Sequence, residues 1–109
     1  MNAQAQQLLT QLRRRYTALS ETLDLTVQLG ESLDRGDRTS FGLLLTMRQE
    51  SILRLQASDQ AIHTLCASLS DDMQQKWQAL LDGGLPEDEE GQLLARQMAQ
   101  NRQLLDRLL

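Results

Sequence analysis

A chain of 109 residues with net charge −4, one cysteine and three aromatic residues is one domain's worth of protein, long enough to bury a core. The lone cysteine excludes an internal disulfide framework and any multi-cysteine zinc site, and interspersed, mildly acidic charge speaks against nucleic acid, whose phosphates need a clustered basic face. Met1-Asn2-Ala3-Gln4-Ala5 lacks the basic and then apolar regions of a secretory signal, and no apolar run approaches the roughly 20 residues that span a bilayer, so the expected location is the cytoplasm without membrane insertion.

Leucine with alanine, glutamine, glutamate and arginine is a helix-forming mixture. In the first third, Ala5, Leu9, Leu12, Tyr16, Leu19, Leu23, Thr26, Gly30 and Leu33 recur at alternating steps of three and four, which predicts a helix over about 3–35. Leu8, Leu25, Val27 and Leu29 widen that stripe, as suits packing against two neighbours. Arg13-Arg14-Arg15 reads as a solvated helix face. The helix is expected to stop at Asp34-Arg35-Gly36-Asp37, where Gly36 takes the left-handed conformation and Asp37 caps the next helix. Arg35-Gly36-Asp37 also spells an adhesion tripeptide, but helix punctuation accounts for the same three residues.

The second stripe runs Phe41, Leu44, Arg48, Ile52, Leu55, Asp59, Ile62, Cys66, Leu69, Met73, Lys76 and Leu80, predicting a helix over about 38–82. Unbroken, it would be about 65 Å long, too long for so small a domain. Ser70-Asp71-Asp72 resembles an internal start signal, so a break or kink is expected near residue 70. Gly83-Gly84-Leu85-Pro86 is the clearest loop, and Pro86 suits the first position of a third helix over about 86–109. Glu87, Asp88, Glu89 and Glu90 would then crowd the positive end of its dipole, a local reason for the acid run. Leu94, Met98, Asn101, Leu105 and Leu108 form its stripe. The expectation is an all-α, single-domain antiparallel bundle of three long helices, the second broken near residue 70.

Little in the chain suggests chemistry. His63 and Cys66 share a helix face, but that spacing offers no oxyanion site and no orienting third residue, and Cys66 sits on the apolar stripe as a small hydrophobe. Asp88, Glu89 and Glu90 have no histidine partner, there is no Glu-x-x-His pair, and no glycine-rich phosphate loop is present. No catalytic, metal-binding or cofactor-binding residue is expected, and no enzyme. Three polar residues, Arg48, Asp59 and Asn101, interrupt the stripes. Such residues lie at a stripe edge, fix helix register, or face a groove that a partner fills.

Leu19-x-x-x-Leu23 through Leu33-Asp34-Arg35-Gly36-Asp37, followed by Phe41-x-x-Leu44-Leu45, Arg48-Gln49 and Ile52-Leu53, resembles the FlgN/FliT type of flagellar export chaperone, and Gln100-Asn101-Arg102-Gln103-Leu104-Leu105 resembles the close of its FlgN branch. The resemblance implies a cytoplasmic helical bundle of the type III export system. It would bind the C-terminal amphipathic helix of a late flagellar substrate, a hook-associated or filament-cap protein, prevent early assembly and deliver it to the export gate, with no cofactor. Because a lone C-terminal helix is marginal in water, Leu94, Met98, Asn101, Leu105 and Leu108 must dock on the protein's own helices or on a client, and these five are the candidate client-binding residues. The competing expectation is a homodimeric structural or regulatory protein whose widened stripe closes the dimer.

Overall fold

Four side chains mark where helices begin. In the computed structural model, which describes residues 2–109, the elements are α1 (Ala3–Asp34), α2 (Arg38–Ala67), α3 (Asp71–Leu81) and α4 (Glu89–Leu108). Each starts on a residue whose oxygen accepts a free first-turn amide. Asn2 accepts from Gln4 at 2.8 Å, Asp37 from Ser40 at 3.0 Å, Ser70 from Met73 at 3.3 Å and Asp88 from Gly91 at 2.9 Å. Such a cap stabilises a helix by about 1 kcal/mol. The Ser40 bonds hold the Asp37 carboxyl below its ordinary value. Gly36 and Gly83 end α1 and α3 at φ +68° and +84°, a region that L side chains avoid.

The second stripe is therefore two helices, and there are four rather than three among the described residues. At the break, the Gln4 side chain of α1 donates to the Ser68 carbonyl at 3.1 Å and accepts from the Ser70 amide at 3.0 Å. One amide side chain thus satisfies two backbone groups that the interruption would orphan. The last helix also begins later than Pro86. The Asp88 carboxylate captures the Gly91 amide, and Pro86 packs so close to Gly91 that a Cβ there would lie 2.8 Å from the proline ring. The proline stays in the loop.

α1 packs against α2 along an antiparallel hairpin and against α4. The Asn2 amide donates to Glu90 at 2.7 Å and Asn101 donates to the Leu12 carbonyl at 3.0 Å, so α4 runs parallel to α1. The main core lies at the start of α1. There Ala5, Leu8, Leu9 and Leu12 meet Met73, Trp77 and Leu80 of α3 and Leu94 of α4. On the α1–α4 register, Leu108 comes level with Leu19. The rest of α1 and the first half of α2 project past it as a two-helix arm, giving extents of 54 × 23 × 19 Å.

The seam of that hairpin is mostly small residues, with Leu19 and Leu25 of α1 buried beside them. The fully buried residues of α2 are Ser51 and Ser58, facing α1, which buries Ala18, Thr22 and Ser32. Thr22 and Ser51 hydroxyls lie 2.7 Å apart, and each also reaches a carbonyl one turn back in its own helix, Ala18 and Arg48. Small residues let the two backbones approach closely and leave the longer apolar side chains on either flank.

At the base, Lys76 of α3 ties down the start of α4, donating to Asp88 and, at 2.8 Å, to Glu90. Lys76 holds both carboxyls below their ordinary values of 3.8 and 4.5. A depressed carboxyl stabilises the fold above its ordinary value, and that contribution is lost as pH falls through the folded value. Urea melts should show stability declining as pH drops below 4.5. Lys76→Met should flatten that acid limb; an unchanged limb would mean that the ion pairs do not set it.

Candidate functional site

His63 is exposed, whereas Cys66 is half-buried against the core beside Ile62 and Leu65. Burial pushes the Cys66 thiol up, which leaves it protonated and weakly nucleophilic at neutral pH. Among the described residues no three histidine, cysteine or carboxylate side chains gather where a metal could sit. Cys66→Ala with His63→Gln is expected to leave partner binding intact and to lower stability by roughly 1 kcal/mol; loss of binding in a folded double variant would reveal a role for the pair.

The five candidate residues of the C-terminal helix share one face of α4, turned toward α1. Leu94 and Asn101 are fully buried there, and Met98, Leu105 and Leu108 are half-buried. Asn101 donates to the Leu12 carbonyl and to Gln97 one turn back, while its Oδ1 accepts from Arg15 at 3.1 Å. Arg15 also donates to Asp59 of α2 at 2.6 Å. Asn101, Arg15 and Asp59 form a polar layer that fixes the level of α4 on the hairpin. In this arrangement the α4 stripe is taken up by the fold, and a client could reach Leu94 only if α4 left α1.

The same face of the hairpin continues past the end of α4 with nothing over it. Thr26 lies eleven residues beyond Arg15 on α1, and Arg48 lies eleven before Asp59 on α2. Eleven residues are three helical turns, about 16 Å, so the Thr26–Arg48 pair repeats the Arg15–Asp59 layer higher up the arm. Arg48 Nε donates to Thr26 Oγ1 at 2.8 Å. Around this pair Leu23, Ile52 and Leu55 are only half-buried, and Val27 and Leu45 are 54% and 50% exposed. Six large exposed apolar side chains fall between residues 27 and 53: Val27, Leu33, Leu43, Leu45, Met47 and Leu53. Of these, Leu33 and Leu45 fall at helical spacing on the face of Thr26 and Arg48, while Leu43, Met47 and Leu53 lie round the other side of α2.

The opposite face of the hairpin carries a shallow trough of about 690 Å³, lined by Thr10, Gln11, Arg14, Thr17, Ala57 and Ala61 among others. Its exposed lining is mostly apolar, from alanine and threonine methyls and the stems of longer side chains, and Arg54 pairs there with Glu21 at 2.7 Å. Its charged lining residues are Arg13, Arg14, Arg54 and Glu21, with no histidine or cysteine among them.

No family model, no curated protein and no solved structure matches this chain. No helix among the described residues is long and apolar enough to cross a membrane.

Two features of the hairpin carry little signal in stripe spacing. The seam residues Thr22, Ser51 and Ser58 were hidden by the louder leucines, although Ser51 and Ser58 stand one heptad apart. The Thr26–Arg48 pair was half legible. Arg48 stood out as an interruption, but nothing in the sequence showed which residue of α1 it meets.

Proposed function

We propose that this chain is a cytoplasmic helix-binding chaperone, working by reversible capture of a partner's amphipathic helix and without turnover of substrate. The observation that supports it is the bare continuation of the α4-binding face along the arm, where Leu23, Ile52 and Leu55 are only half-buried. A helix laid there would extend the packing that α4 makes below, the helix-in-groove mode. The face is modest in size, as suits a partner that must later be released. The resemblance to FlgN/FliT-type chaperones gives this reading its particular form. The partner is then the C-terminal helix of a hook-associated or filament-cap protein, shielded until it reaches the export gate.

The test is the mass in solution, by light scattering, of the purified protein alone and mixed with peptides from the C-terminal segments of such proteins. A one-to-one complex supports the reading. A chain that is already a dimer and binds no peptide supports the structural or regulatory alternative instead.

A further inference from the structure

Resting on the helix-binding reading above, we propose that the helix docking on the arm is one that sets a carboxylate against Arg48 at the middle of its apolar stripe. The half of the face that α4 covers shows what such a site accepts. The α4 stripe is apolar at Leu94, Met98, Leu105 and Leu108 and polar once, at Asn101, which meets Arg15. There the cation is already neutralised within the hairpin by Asp59, and a neutral amide on the incoming helix is enough.

Three turns up, the layer is built differently. The cation now stands on α2, and its counterpart on α1 is the hydroxyl of Thr26. Among the described residues Arg48 forms no ion pair, and its one side-chain hydrogen bond engages Nε. That bond holds the guanidinium in place with its outer N–H groups unengaged, on a face that also carries the half-buried Leu23, Ile52 and Leu55. A wholly apolar helix laid across it would strip water from an unpaired charge, at a cost that exceeds the burial gained. A carboxylate at that level supplies the missing charge and accepts the two outer N–H groups together. The site therefore selects an acid-centred stripe and rejects plain leucine helices. Two-fold pairing centred on this layer would bring one Arg48 toward the other with no acid between them, which disfavours a second copy of this chain there.

The test uses stapled helical peptides of about five turns, with leucines spaced as Leu94, Met98, Leu105 and Leu108 are around Asn101. The centre is Glu, Gln, Lys or Leu. Binding to the full chain is read by fluorescence anisotropy, with light scattering for the mass of the complex. The Glu peptide is expected to bind at least about tenfold tighter than the Lys or Leu peptides. Arg48→Glu should reverse the order, so that the Lys peptide binds best. If all four peptides bind the wild type alike and Arg48→Glu changes nothing, the acid-centred partner is wrong while helix docking stands. If no peptide binds either protein, or if the mass shows a self-paired chain in its place, the helix-binding reading falls as well.

Discussion

Replacing Leu94 with alanine is expected to destabilise the protein by about 2–5 kcal/mol in urea unfolding. Leu94 is fully buried and stands where α1, α3 and α4 meet, within a core that also holds Leu8, Leu9, Met73 and Trp77. Truncation removes its transfer free energy and leaves a cavity that helices tied by the Lys76 ion pairs cannot readily close. For a domain with about 5–15 kcal/mol of total stability, that is a large share. Leu53→Ala, on the exposed side of α2, should stay within about 0.5 kcal/mol of the wild type. A Leu94 variant as stable as the Leu53 variant would mean that α4 does not dock on α1 in solution.

The second large effect concerns the arm. Ile52→Asp is expected to weaken binding of a partner helix by about a hundredfold, near 2.7 kcal/mol. Ile52 is half-buried, one turn from Arg48 on the same face of α2, so a docking helix would complete its burial. The aspartate forfeits that burial and must lose water under the incoming helix. In the free protein the aspartate keeps partial access to water, so the thermal midpoint should fall by only a few degrees and the transition should stay cooperative. Unchanged affinity would place the binding face elsewhere on the molecule. A collapse of the melting transition would instead make Ile52 part of the fold's own core.

Local signals located the helices well. Gly36 with Asp37, Ser70 and Gly83 are stops and caps that act within a turn of themselves, and the chain breaks at each. What closes the break near residue 70 was not legible, because Gln4 lies more than sixty residues away and only the folded chain brings it there. Pro86 misled for a related reason. Its preference for a first helical turn is weak, and the Asp88 carboxylate three residues before Gly91 makes the better cap. The three polar interruptions separated by context: Asn101 fixes the level of α4, Asp59 pairs with Arg15, and Arg48 faces the bare arm. The apolar stripe of α4 was plain in the sequence, but whether it meets its own chain or another was not. Burial of leucine is non-directional, and spacing alone carries no record of which surface supplies the cover.

The slender arm also governs how the molecule travels. A globular domain of this length has a radius of gyration of about 13 Å, whereas this one reaches 16.8 Å because its hydroxyl-lined seam draws two helices into a narrow rod beyond the core. Such a shape drags more solvent than its 12.4 kDa would suggest. On a sizing column a single chain would elute early, in the place of a rounder protein of greater mass, and a helix lying along the arm would thicken the rod while scarcely lengthening it. Elution position would then shift little on binding, even as the scattered light rose by the full mass of the bound peptide.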